Sequence, residues 1–408
     1  MPFSTAFWRK LTVLCALLTF SYTSFAQETP NFIIFIADDV SWDDLGCYGN
    51  EVVQTPNMDQ LAAEGIRFNK AFLTTSSCSP SRNSIITGRY PHNTGAAELH
   101  SAPPLDMQAF PKFLKEKGYY NVLAGKSHMG EFAYREFDQV LDDGAKFGDG
   151  GEAQWVQVVE ERPKDQPFFF WFAGIDAHRI WGENEFSGTH DPNDITPPPY
   201  LPDGPLTRAD LAKYYDEIKR FDHYIGEVRK VLEAQNVLDN TVIIVLADNG
   251  RPFSRCKTRL YDSGIQTPFI VRWGDGIEAP AECNSLLSAI DIAPTILDLA
   301  QAEIPESIQG QSFRRLLENP EQSFRQHVFA EHNWHDFEAH ERSVRTDDFL
   351  YIRNYRPQFA NQGPLDAVNS DTHKELVALK AAGQLSPAQA DMFSTPRPHE
   401  ELYDVQND

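Results

Sequence analysis

The sequence predicts an α/β fold: a large, mainly parallel sheet flanked by helices, followed by a smaller C-terminal α+β subdomain with an antiparallel sheet. Three observations predict it. Short unbroken apolar runs, each one strand long, alternate with longer amphipathic helical patterns. Two of these runs stop abruptly at acidic residues, as strands of open α/β sheets do where their carboxyl ends carry a site. After about residue 325 the pattern changes to short strands and irregular polar segments.

Taken in order, residues 31–37 form an apolar run that ends in Asp38 and Asp39. This pattern predicts a buried parallel strand delivering two carboxylates. Residues 56–65 read as a short helix, with Thr55 as N-cap, Pro56 at the first position and Gly65 closing it. A helix over 107–117 leads into a strand over 119–124, and 168–172 is another buried strand. A long helical pattern covers 208–235, and the strand 241–247 ends in Asp248 and Asn249. A strand over 268–273, a helix over 291–300 and a C-terminal strand over 349–353 follow, while the Pro-, Asp- and Gly-rich stretch 191–205 reads as a surface loop. Ligands in such sheets bind beyond the carboxyl ends of the strands, where Asp38, Asp39, Asp248 and Asn249 all fall.

Residues 1–26 stand apart. Arg9 and Lys10 form a charged n-region, 11–20 an apolar h-region, and Ser24-Phe25-Ala26 a small-residue cleavage site. The apolar stretch is about half of the roughly 20 residues that span a bilayer. The expectation is an exported, periplasmic or secreted chain that starts near Gln27, with no stable membrane insertion. The main domain then covers 27–325 and the C-terminal subdomain 326–408. With 36 Lys and Arg against 59 Asp and Glu, the net charge of −23 argues against nucleic acid or an anionic membrane as partner. Any anion site must therefore be a local basic cluster. Five cysteines are too few for a disulfide scaffold in 408 residues. Cys47 reads as a buried small hydrophobe, and Cys256 with Cys283 as the pair that export would allow to bridge.

The most informative string is Ser77-Cys78-Ser79-Pro80-Ser81-Arg82, which runs on to Gly88. Ser79 can cap a helix and Pro80 fits its first position, which holds Cys78 at the positive end of a helix dipole beside Arg82. The stretch from Ser76 to Gly88 resembles the signature of the type I formylglycine-dependent sulfatases of the alkaline-phosphatase-like superfamily. In that family a Cys-x-Pro-x-Arg core directs oxidation of the cysteine to formylglycine (3-oxoalanine). Gly118-Tyr119 and Gly125-Lys126-Ser127-His128 resemble the second signature, departing from it at Asn121 and Ser127. Asp176-Ala177-His178-Arg179 is similar to the segment carrying the family's active-site histidine. Lys257, ahead of Thr258-Arg259-Leu260-Tyr261, aligns with a second basic sulfate ligand, although Arg255 and Arg259 flank it and leave the register open by two residues. The sulfamidase (N-sulfoglucosamine sulfohydrolase) branch is the most similar, on the strength of Gly-Lys-x-His, His178-Arg179 and Thr258-x-Leu-Tyr261.

The resemblance implies an alkaline-phosphatase-like sandwich and one calcium ion held by Asp38, Asp39, Asp248, Asn249 and the modified Cys78. Hard oxygens from two strand ends suit that ion. It implies catalytic roles for Cys78, Arg82, Lys126, His128, His178 and Lys257, with a formylglycine hydrate as nucleophile. It also implies a formylglycine-generating or sulfatase-maturating enzyme as partner and a sulfated carbohydrate, O- or N-sulfated, as substrate. Glu98, His100, Arg179, His335, Asp336 and Arg342 are the candidates to face the sugar. Two rival readings share the scaffold: a phosphomonoesterase or phosphonate hydrolase, and a glycan-binding protein without catalysis. Aryl sulfate against aryl phosphate turnover separates the first rival, and the state of Cys78 the second. The final string Leu402-Tyr403-Asp404 normally continues into a last helix in this family, so the expectation is that further C-terminal sequence follows.

Overall fold

The computed structural model describes residues 29–143, 148, 150–361 and 363–407; the expected signal peptide, residues 1–26, lies outside them. Its strands, in chain order, are β1 (Asn31–Ala37), β2 (Ile66–Phe68), β3 (Ala71–Phe72), β4 (Tyr120–Gly125), β5 (Gln139–Leu141), β6 (Phe168–Ala173) and β7 (Thr241–Ala247). They continue as β8 (Phe269–Arg272), β9 (Ala281–Cys283), β10 (Leu287–Ser288), β11 (Val328–His335), β12 (Phe337–Arg345), β13 (Phe349–Asn354) and β14 (Glu400–Asp404). Eight of them form the main sheet in the order β5-β4-β6-β1-β7-β8-β2-β9. The run from β5 to β7 is parallel throughout. The strand expected over 268–273 is β8, which instead lies antiparallel to β7. A second, four-stranded antiparallel sheet has the order β11-β12-β13-β14.

β1 shows why the sheet needs cover on both faces. Phe32, Ile34 and Ile36 enter one apolar cluster, with Ile85, Ile86 and Ile296. Ile33 and Phe35 enter the other, with Trp155, Tyr214 and Ile218. The strand period of two thus splits a continuous apolar run between two layers of helices. Each such side chain stabilises the fold by roughly 1.5–3 kcal/mol relative to exposure. A third cluster, including Leu260, Ile265, Val328 and Ile352, fixes the small sheet to the main body.

Helix ends moved where proline or a cap decides them. The 107–117 helix is reduced to Pro111–Glu116, and the 208–235 helix starts earlier, as Pro205–Ala234, with a proline in the first turn of each. The 291–300 helix is Ile292–Leu299, preceded by a 3-10 turn, Ala289–Asp291, whose Asp291 carboxylate accepts from Ser288 N–H (3.0 Å). The expected capping by Ser79 is overturned. The helix is Cys78–Thr87 with Ser77 as N-cap, so Cys78 occupies the first turn and Pro80 the third position. The Cys256–Cys283 bridge is absent as well: both thiols are free and buried, and Cys256 Sγ lies 3.2 Å from the Tyr200 hydroxyl. Among the described residues no helix is long and apolar enough to cross a membrane.

Candidate active site

Register places the site. Ala37 of β1 pairs with Ala247 of β7, Ile36 with Ala173 of β6, and Gly125 of β4 with Ala173. Asp38, Asp248, Lys126 and the segment leading to His178 therefore leave the sheet along one edge. The ladder continues for a residue beyond, with Asp248 N–H donating to Ala37 O (3.1 Å) and Lys126 N–H to Ala173 O (2.9 Å). Gly125 makes this crossing possible. Its φ is +98°, and a Cβ there would sit 2.0 Å from Ala173 O.

Into this edge points a helix of unusual composition. All ten residues of Cys78–Thr87 are buried, although most of them are polar. A helix that burial alone had shaped would be apolar on that many faces. Arg82 is fully buried, donates from Nε to Asp248 Oδ2 (2.8 Å) and from Nη1 to Lys126 O (2.7 Å), and so ties the helix to two strand ends. Cys78 heads the helix, and burial pushes its thiol up, with Lys126 and Lys257 opposing more weakly.

The acids converge on Cys78. Ligand atoms of Asp38, Asp39 and Cys78 lie within 4.8 Å of one another. Asp39 adopts a left-handed φ of 63°, a conformation costing about 1 kcal/mol in a non-glycine residue. Its N–H donates to Asp248 Oδ1 (3.2 Å) and its Oδ1 accepts from Asn249 Nδ2 (2.6 Å). Asp38 Oδ1 and Asn249 Oδ1 are buried with no hydrogen-bond partner among the described residues. Burial and neighbouring carboxylates push Asp39 and Asp248 up. In Asp38 the burial effect is outweighed by Lys126, His178, Arg82 and Lys257, which hold it well below the usual carboxylate range. Orphaned buried oxygens among crowded carboxylates fit a hard divalent cation.

The bases close the ring. Lys126 Nζ contacts Asp38 Oδ2, while Lys257 Nζ, almost fully buried, donates to Asp39 Oδ2 (2.7 Å) and Asp366 Oδ2 (3.0 Å). The three bases at 255–259 diverge in the structure. Arg255 lies over the Tyr261 ring (4.2 Å) and Arg259 turns to the C-terminal sheet, so Lys257 alone faces the acids. His128 Nε2 is 2.8 Å from His100 Nδ1; burial and the nearby Lys126 and Arg82 hold His128 down to about 3. Burial and Lys257 likewise hold His178 down to about 4. Both imidazoles are therefore neutral near pH 7.

Among the candidates to face the sugar, His335 Nδ1 lies 2.8 Å from Ser77 Oγ, one residue from Cys78. Asp336 Oδ2 accepts from Leu365 N–H (2.9 Å), and Glu98 is exposed beside the same C-terminal sheet. Two further candidates have protein partners. The Arg179 guanidinium is fully engaged: it grips Asp210 with two 2.8 Å bonds, donates to Pro252 O, and stacks on Trp181 and Phe253. Arg342 pairs with Glu331 (3.2 Å) and donates to Glu341 O within the small sheet. Arg179 is thus held in a buried structural cluster, while Arg342 keeps about a third of its side chain exposed beside its pairing in the small sheet. Sequence reasoning missed Asp366, which sits 3.0 Å from Lys257 Nζ and 3.7 Å from His178 Nε2. No motif surrounds it, and only the tertiary fold brings it to the ring.

A sulfatase family model matches residues 30–150 and 152–302, and a model for the C-terminal part of N-sulphoglucosamine sulphohydrolases matches 255–380. An ulvan-active sulfatase of Formosa agariphila is 30% identical over 93% of this chain and 70% of its own length. Human N-sulphoglucosamine sulphohydrolase is 31% identical over 66% of this chain and 60% of its own. A solved structure in complex with its substrate D-glucosamine-2-N,6-O-disulfate superposes with a TM-score of 0.68 at 22% identity, covering 88% of this chain and 96% of the other. With the family model matching well over half of its residues, the chain belongs to the sulfatase family, near the sulfamidase branch, and is a sulfatase.

Proposed function

We propose that this sulfatase is an exported, calcium-dependent enzyme that hydrolyses sulfate groups of a sulfated polysaccharide or its oligosaccharides, using formylglycine made from Cys78. The carrying observation is the ring itself. A buried cysteine heads a buried polar helix, faced by two lysines and by crowded carboxylates, with Asp38 Oδ1 and Asn249 Oδ1 unpartnered among the described residues. As a thiol, Cys78 is a poor nucleophile, because burial keeps it protonated. Conversion to formylglycine by a maturating enzyme would supply hydroxyls there as its hydrate, without needing a thiolate. Calcium held by Asp38, Asp39, Asp248 and Asn249, with position 78, would supply positive charge to neutralise the sulfate and acidify that hydroxyl.

The remaining work falls to this chain's side chains. Arg82 fixes the helix head through Asp248 and Lys126 O, which holds position 78 in place. Lys126 and Lys257, now paired with Asp38 and Asp39, present ammonium groups to the sulfuryl oxygens. His178 is neutral in the free site, and the negative charge of an arriving sulfate raises its proton affinity so that it can serve as acid for the leaving atom. His128, also neutral, is the acceptor for a proton from position 78. The curated relatives named for ulvan and for N-sulphoglucosamine support a glycan substrate.

The test is mass spectrometry of the Cys78 peptide from a host with a maturating enzyme, together with turnover of aryl sulfate and aryl phosphate. The aldehyde at position 78 and a preference for sulfate are expected. Full sulfatase activity with an unmodified Cys78 would overturn the formylglycine reading. Export is checked by N-terminal sequencing of the mature protein, expected to begin near Gln27.

A further inference from the structure

A cavity of about 430 Å³ opens between the β11–β12 hairpin, residues 354–360 and residues 395–397, and its wall includes Arg259, His332, His335 and Arg356. Nothing in the ring described above uses it, yet it adjoins that ring at two points. His335 in its wall bonds Ser77, next to Cys78, and Arg259 is two residues beyond Lys257.

The charges of this wall are unevenly matched. Arg397 is neutralised by Glu341 and by Glu401, 3.0 Å away. Arg356 donates from Nε to Glu338 (2.7 Å) and is otherwise half exposed at the cavity. Arg259 differs. It is 4% exposed, and its guanidinium makes no hydrogen bond among the described residues. Its one ion pair, 3.8 Å to Glu341, is with a carboxylate that Arg397 already holds. A buried guanidinium without hydrogen bonds is costly, and proteins keep one where a ligand supplies the acceptors. Arg259 and Arg397 also help burial hold His332 neutral, so the wall offers neutral imidazole and unmatched guanidinium together. Three guanidiniums meet three carboxylates here, Glu338, Glu341 and Glu401, so what sets the wall apart is the unused donor capacity of the buried Arg259 rather than its net charge.

We propose that this cavity binds a second anionic group, a sulfate or a carboxylate, on the same saccharide whose sulfate is cleaved at position 78, with Arg259 and Arg356 as its ligands. The proposal rests on the saccharide reading given above and adds that the preferred substrate carries two anionic groups. Planar guanidinium groups suit either oxyanion, since both present paired acceptor oxygens.

The test compares kcat/KM of the matured full-length enzyme on three oligosaccharides that share the cleaved sulfate. The first carries a second sulfate on the neighbouring position, the second a carboxylate, and the third a neutral group. Wild type should favour one or both anionic substrates over the neutral one, and Arg259→Gln should reduce that preference by about tenfold or more. Arg356→Gln, at a half-exposed position where folding is not at stake, should reduce it in the same direction. The arm that loses more identifies the bound group. Equal losses on anionic and neutral saccharides, or no preference in wild type, overturn the second-anion site while leaving the saccharide reading standing. Turnover of aryl sulfate with none of any saccharide overturns both.

Discussion

The strand-end ring and the C-terminal cavity handle charge in opposite ways. In the ring almost every charged group meets an opposite one: Arg82 meets Asp248, Lys126 meets Asp38, and Lys257 meets Asp39 and Asp366. Its unmatched groups are acceptors, the buried Oδ1 atoms of Asp38 and Asn249, which find no donor among the described residues. In the cavity the unmatched groups are donors, with Arg259 short of acceptors and His332 and His335 held neutral by burial and nearby cations. The difference teaches a division of labour. On the readings proposed above, the groups assigned to the sulfuryl chemistry are pre-paired and fixed by the sheet, whereas Arg259, assigned to a second anion, is left with unmet hydrogen-bonding capacity.

The comparison is broken most severely at position 78. Cys78→Ala should lower turnover at least about a thousandfold, because it removes the source of the covalent nucleophile. Its circular dichroism and calcium binding should stay close to wild type; residual activity above a thousandth would sink the assignment. Next in size is Asp248→Ala. It takes away the proposed cation ligand and the partner of Arg82, and it should cost about a hundredfold or more in activity, judged against the loss of a single preorganised charged group. Added calcium should raise the melting temperature of wild type clearly and of the mutant much less. Equal shifts would show that Asp248 is not a ligand.

A smaller effect, aimed at the boundary between the two regions, comes from His100→Ala and His335→Ala. His100 bonds His128, and His335 bonds Ser77, so both touch the chemistry as well as facing outward. The expected loss is about tenfold on the natural saccharide and less on a small aryl sulfate, as for residues that recognise the sugar. Equal losses on both substrates would place these histidines wholly with the core chemistry.

The smallest effect sharpens the electrostatic contrast. Burial and the adjacent Arg259, Arg397 and Arg342 hold the buried His332 down to about 3, against an ordinary value near 6.5. Between those two values the unfolded chain binds a proton there that the native chain does not. Stability should therefore be complete above pH 6.5 and fall as the pH drops toward 3, by up to about 1.4 kcal/mol per pH unit for this group. His332→Gln should flatten this part of the acid limb in denaturant titrations at pH 7, 6 and 5. An unchanged slope would mean that His332 is not held neutral.

Much of the site is legible without coordinates because its parts lie at pattern breaks. Asp38 and Asp248 announce themselves by ending apolar runs, and Cys78, Pro80 and Arg82 by their spacing. The same logic misplaced the cap at Ser79, since a proline tolerated at the third position was read as the first. It also put Arg179 and Arg342 toward the sugar, because sequence shows a charge but not its partner. Asp210 and Glu331, 31 and 11 residues away in the chain, are the partners that those guanidiniums find.

By itself the sequence determined the α/β layering, the strands that carry the acids and the existence of a helix beginning beside Cys78, though not that Cys78 is its first residue. Hydrophobic period and local spacing are enough for these. Only the tertiary structure decided that β8 runs antiparallel, that Cys256 and Cys283 stay apart, that Lys257 rather than Arg255 or Arg259 meets the acids, and that Asp366 joins them. Each of these depends on which distant segments pack together. Pairings 109 residues apart, such as Lys257 with Asp366, are set by the closure of the whole core and leave no periodic trace in the chain.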